Sequence, residues 1–189
     1  MSEARENRAA KRPDDVIDIL LRQHRRIREL LSDVKRSDGE HKKQAFDELR
    51  ALLAVHETSE QLILRPATRE TAGKQIAEAR TREEEDATRA LSQLEKMDVS
   101  SREFDARFSE FERSVLAHAE QEEREEFPAV RAGRAEEQLE KMGKRLLIVE
   151  KLAPTHPHPA VAGSTAAQWA VGPFASLVDR VRDALMKPA

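Results

Sequence analysis

Two stretches of the chain follow one pattern, His56-x-x-x-Glu60-x-x-x-x-x-Pro66 and His118-x-x-x-Glu122-x-x-x-x-x-Pro128. Residues four apart share a face of an α-helix, with Cβ atoms about 5–6 Å apart. One such His-Glu pair carries little information. Two, each within a strongly helical stretch and each followed at the same distance by proline, read as the halves of a duplicated metal site. The fold must then bring two helices together with these faces turned inward.

Composition agrees with a helical answer. Of 189 residues, 37% are charged and 39% apolar, with only 6 Gly and 8 Pro, and Ala, Glu, Leu and Arg dominate. These are strong helix formers in a chain long enough to bury a core. There is no cysteine, which excludes disulfides, thiolate metal sites and thiol catalysis. The net charge of -3 gives no electrostatic case for nucleic acid or for an anionic membrane surface. The charged start Met1-Ser2-Glu3-Ala4-Arg5-Glu6 lacks the apolar stretch of a signal peptide, and no apolar run is long enough to span a bilayer. A cytoplasmic protein is expected. The absence of Tyr removes tyrosyl-radical chemistry.

Apolar periodicity predicts the elements. Residues 1–13 are polar and expected to be disordered, and a four-helix bundle is expected over 14–131. Helix one carries Val16, Ile17, Leu20, Leu21, Ile27, Leu30, Leu31 and Val34, and breaks at Ser37-Asp38-Gly39. Helix two runs through Phe46, Leu49, Leu53, His56 and Glu60 to a stop at Pro66. Helix three follows Gly73, with Ile76, Ala77, Ala87, Ala90, Leu91 and Leu94. Helix four follows the turn Asp98–Ser101 and runs from Phe104 through His118 and Glu122 to a stop at Pro128. Four such helices with short loops read as an all-α, antiparallel up-down-up-down bundle. A further helix is expected within 132–152, near Glu136 to Leu152, then an Ala/Pro/His-rich linker at 153–172. An amphipathic helix over 173–189 would need cover from the bundle or from a second copy of the chain, as in a homodimer.

Further ligands follow from the duplication. His24 lies on the apolar face of helix one, where a lone histidine is more often a hydrogen-bonded core residue. It has apolar residues at +3, +6, +7 and +10, namely Ile27, Leu30, Leu31 and Val34. On helix three Glu84 has Ala87, Ala90, Leu91 and Leu94 at the same offsets, whereas Glu85 has Thr88, Leu91, Ser92 and Glu95. Glu84 is therefore the expected counterpart of His24; the plain reading of Glu83–Asp86 as a solvated acidic run is opposed by periodicity for Glu84 but not for the other three. The inner set becomes His24, His56, Glu60, Glu84, His118 and Glu122. Three inward carboxylates are costly without a cation. Mixed imidazole and carboxylate donors in a bundle suit a two-metal non-haem centre, with Glu60 and Glu122 placed to bridge and the other four as terminal ligands. Glu57, Gln61 and Glu123 are candidate supports for the ligands. Arg65, before Pro66, matches Phe127 before Pro128 and reads as a surface ion pair. The acids and Gln after His118, Glu126 included, read mostly as solvated. His41 is expected on the surface, and His156 and His158 in the linker.

Over about residues 14–131 the order His, His-x-x-x-Glu, single ligand, His-x-x-x-Glu resembles the hemerythrin-like (HHE cation-binding) family. The resemblance implies an antiparallel four-helix bundle holding two iron ions, with oxygen binding, sensing, or reaction with peroxide or nitric oxide. Where the family usually places a helix-three histidine, this chain has Glu84. The added negative charge should favour the ferric state, admit manganese, and disfavour a reversible oxygen carrier. The expected function is a non-haem di-iron protein acting on or sensing dioxygen, peroxide or nitric oxide. A non-enzymatic oxygen, iron or redox sensor is the alternative, and enzymatic turnover is left open.

Overall fold

A computed structural model describes residues 14–152, and among these every regular element is helical. The helix α1 spans Val16–Arg36, α2 Gly39–Ser59, α3 Arg65–Thr71, α4 Lys74–Leu94, α5 Arg102–Gln121, α6 Phe127–Gly133 and α7 Glu136–Leu152. Single π-helical stretches, Glu60–Leu64 and Glu122–Glu126, join α2 to α3 and α5 to α6. Four rods result: α1, α2 with α3, α4, and α5 with α6. Linked by short turns, they run alternately up and down, and α7 lies against α1 and α2.

Local chemistry sets the rod ends. The Asp15 side chain accepts from the Asp18 amide, and the Ser101 hydroxyl accepts from the Phe104 amide. Both satisfy amide groups that a helix start leaves without partners. Gly39 (φ 56) and Gly73 (φ 98) turn the chain between rods, in backbone territory that side chains disfavour.

The prolines do not stop the helices, contrary to the sequence expectation. Each rod continues past its proline, to Thr71 and to Gly133. The reason lies one turn earlier. A proline inside an α-helix clashes with the carbonyl four residues back and removes a donor. Here the helix widens before the proline: the Arg65 amide bonds to the Glu60 carbonyl and the Phe127 amide to the Glu122 carbonyl, both five residues back. The proline then sits at the start of the next α-helical turn, where no donor is needed.

The core is split in two. At one end Ile27, Leu30, Leu31, Val34, Leu49, Leu53, Leu91 and Leu94 pack around Phe46, Phe104, Phe108 and Phe111. At the other, Val16, Ile17, Ile19, Leu20, Ile63, Leu64, Phe127 and Val130 meet Leu139, Leu146 and Val149 of α7. His24 falls between Leu20 and Ile27, and so between the two apolar ends. The functional cluster occupies this belt. The N-terminal residues 1–13, the linker 153–172 and the amphipathic stretch 173–189, with His156 and His158, lie outside the described residues.

Candidate metal centre

All six expected inner residues converge on the belt. His24, His56, Glu60 and Glu122 offer ligand atoms lying within 4.8 Å of one another, and so do Glu60, Glu84, His118 and Glu122. Glu60 and Glu122 are common to both groups. Each rod supplies its share because four-residue spacing keeps His56 with Glu60 and His118 with Glu122, the π-helical turn beginning at the glutamate in each case. Glu84 is buried while its neighbour Glu85 is exposed.

The three imidazoles are each held through Nδ1. His24 Nδ1 lies 2.7 Å from Glu123 Oε1, His56 Nδ1 2.8 Å from Gln23 Oε1, and His118 Nδ1 2.8 Å from Glu83 Oε2. A carboxylate only accepts, so His24 and His118 donate from Nδ1. The Gln23 amide is oriented by its own donation to Glu150 Oε1 at 2.9 Å, which turns its oxygen to His56. A neutral ring held in this way carries its lone pair on Nε2, the nitrogen that faces the belt. Arg28 and Arg80 flank the outer carboxylates, donating to Glu123 at 2.8 Å and to Glu83 at 2.5 Å. These pairs hold Glu123 and Glu83 below the usual carboxylate range despite some burial, His24 and His118 leading in each case.

The donor set fits a cation. His24 Nε2 and His56 Nε2 are 3.1 Å apart, two lone pairs face to face unless something positive lies between them. Both oxygens of Glu60, Glu84 Oε2, Glu122 Oε2 and His118 Nε2 are buried without a hydrogen-bond partner. His118 Nε2 does lie 3.3 Å from Glu122 Oε1, but without hydrogen-bonding geometry. Orphaned buried polar atoms are rare in folded proteins, and the carboxylate oxygens among them are of the kind a cation would satisfy.

The electrostatics carry the same strain. Burial, with Glu122 and Glu84 adding to it, pushes Glu60 well above the usual carboxylate range. Burial raises Glu84 to about 7 against the pull of Arg65. Burial and the neighbouring His24 drive His56 well below 6.5, so it is neutral. His118 goes the other way: burial opposes its charge, yet Glu122, Glu83 and Glu84 hold it up to about 10. Glu122 is correspondingly held low by His118 despite burial.

Arg65 corrects the sequence reading. It is buried rather than at the surface, and its Nη1 donates to both oxygens of Glu126 at 2.6 and 2.7 Å. Its Nη2 donates to Glu84 Oε1 and lies 3.4 Å from Glu122 Oε1. Glu126, expected among solvated residues, is fully buried and also accepts from Thr68. The charge that Glu84 adds thus meets a guanidinium. Of the candidate supports, Glu123 holds His24. Glu57 instead accepts from Thr88 at 2.8 Å, and Gln61 is exposed. His41 is exposed as expected. Gln23 and Glu83 escaped the sequence reading, although each directly precedes a lone ligand, His24 or Glu84, at matched places in the repeat.

A cavity of about 30 Å³ opens on the cluster, walled by Ile27, Leu53, Ala87, Val115 and Ala119 opposite the histidines and glutamates, with Glu57 beside them.

The sequence model of the hemerythrin HHE cation-binding domain matches residues 15–130. The chain belongs to the hemerythrin HHE cation-binding family. Domains of this family bind metal cations, typically iron. A hemerythrin-like protein of Schizosaccharomyces pombe is 23% identical over 176 residues, covering 91% of this chain and 87% of its own length. The crystal structure of a hemerythrin HHE cation-binding domain-containing protein from Mycobacterium kansasii has the same fold, with a TM-score of 0.68 at 22% identity, over 88% of this chain and 98% of its own. Among the described residues no helix is long and apolar enough to cross a membrane.

Proposed function

We propose that this hemerythrin-family chain is a non-haem di-iron protein acting on dioxygen, peroxide or nitric oxide. The observation that carries the reading is the set of imidazole Nε2 atoms and unpartnered carboxylate oxygens meeting in one buried belt. His24 and His56 would hold one metal, Glu84 and His118 the other. Glu60 and Glu122, common to both groups, would bridge them. Manganese is a second candidate, since a three-carboxylate set suits harder ions. When bound, the metals supply Lewis acidity and electrons to a small ligand.

The residues around the metals have separate tasks. Glu123, Gln23 and Glu83 fix ring orientation and keep Nε2 free for the metal. Ile27, Leu53, Val115 and Ala119 exclude bulk water and select a small ligand. The experiment is metal analysis of aerobically purified protein, followed by peroxide consumption. We expect about two iron or manganese ions per chain and peroxide loss that His118→Ala abolishes. Protein free of metal would refute the reading.

A sensor is favoured by one contact. His56 bonds to Gln23, and Gln23 to Glu150 on α7, so the ring is tied to a helix outside the four rods. A metal-bound protein that consumes no peroxide but changes the protection of α7 amides on oxidation would be a sensor.

A further inference from the structure

The two halves of the chain match residue for residue around the belt. His56, Glu60 and Pro66 correspond to His118, Glu122 and Pro128, and His24 corresponds to Glu84. The residue before each proline reaches the lone ligand of the opposite half. Phe127 stacks on His24, with ring centroids 5.3 Å apart and planes at 24°. Its counterpart Arg65 donates to Glu84. One position earlier, Leu64 lies in the apolar core, whereas its counterpart Glu126 clamps Arg65 through both oxygens and accepts from Thr68. Three positions therefore differ together: His24, Phe127 and Leu64 against Glu84, Arg65 and Glu126. An imidazole takes an aromatic neighbour. A carboxylate takes a guanidinium, and a buried guanidinium needs its own counter-ion.

We propose that Arg65, oriented by Glu126 and Thr68, is the positioning residue that makes Glu84 a one-oxygen metal ligand. The inference rests on the two-metal reading above. Arg65 holds Glu84 Oε1, and Glu84 Oε2 is buried without a partner, the oxygen left for a cation. Without the guanidinium the carboxylate is free to rotate or to chelate through both oxygens. Arg65 also brings one positive charge to the end of the site where Glu60, Glu84 and Glu122 meet a single imidazole, His118. A lysine would supply the charge but not the rigid fork that serves Glu126 and Glu84 at once.

The test uses the full chain and iron(II), with metal per protein, dissociation constants and reduction potential as readouts, and circular dichroism to establish folding. Wild type binding no metal would overturn the two-metal reading itself. Given binding, Arg65→Gln should weaken one of the two metals by about 10–100-fold, as loss of a ligand's support typically does. It should also lower the reduction potential, since a positive charge is lost beside the metal. Arg65→Lys should recover the potential but not the affinity. Glu84→His alone should bind one metal weakly, because Arg65 then faces an imidazole. The triple variant Glu84→His, Arg65→Phe, Glu126→Leu rebuilds the first half's set and should bind two. Folded Arg65→Gln with wild-type affinities would overturn the proposal, as would Glu84→His binding as tightly as the triple variant. If Arg65→Gln does not fold, that second comparison decides.

Discussion

At the scale of single residues, each histidine spends Nδ1 on an acceptor so that Nε2 faces the belt. Glu84 was legible because the apolar stripe of helix three repeats that of helix one. Gln23 and Glu83 were not, because an apolar stripe says nothing about the polar residue beside it. Arg65 was misread because an arginine before a proline at a helix end usually meets solvent, and only the fold reveals four carboxylates around it. Glu84→Ala should cost at least one bound metal per chain, whereas Glu85→Ala, on the exposed side, should leave metal content unchanged; the reverse pattern would contradict the assignment. Glu57 yields a pH prediction. Burial, aided by Glu84 and opposed by the Thr88 hydrogen bond, raises it to about 8. The unfolded chain releases this proton near 4.5, so the folded state holds one proton more between those values. Its contribution to stability is full below pH 4.5 and is lost as pH rises towards 8, by up to about 1.4 kcal/mol per unit. In chelator-treated protein, Glu57→Gln should flatten the fall in urea stability between pH 5 and 8. An unchanged slope would place the carboxyl in a more solvated environment.

At the scale of elements, the rods and their order were readable from apolar spacing, caps and glycines. The behaviour at Pro66 and Pro128 was not, since a π-helical turn depends on backbone widening that no residue type announces. That turn begins at the two glutamates common to both ligand groups, so one irregularity both accommodates the proline and presents the carboxylate. The seating of α7 is another tertiary matter. A Cβ on Gly143 would lie 2.6 Å from the Asp14 carbonyl oxygen and 3.1 Å from the Val16 nitrogen. These are backbone atoms at the start of α1, which cannot swing aside. Gly143→Ala should therefore destabilise the protein by about 1–3 kcal/mol in urea unfolding. Helix propensity alone predicts a gain of about 1 kcal/mol instead, so a stabilised variant would show that α7 sits further from α1.

At the scale of the molecule, two apolar ends enclose a belt in which three imidazoles and three carboxylates converge. Glu122, Glu83 and Glu84 hold the His118 imidazolium up to about 10 against burial, and a metal taking Nε2 would displace that proton. Loading should release protons and weaken as pH falls, which calorimetry in buffers of differing ionisation enthalpy would detect; loading without proton release would exclude His118 as a ligand. Chelation should lower the melting temperature, because a metal at about 100 times its dissociation constant adds roughly 2.7 kcal/mol. In the proposed centre the belt would hold two metals, with Glu60 and Glu122 shared between them. The most direct test is a crystal structure of the aerobically purified protein with anomalous data at the iron edge. Two peaks are expected, one bounded by His24 and His56 and one by Glu84 and His118, with Glu60 and Glu122 between them. A single peak, or none with the six side chains in place, would contradict it.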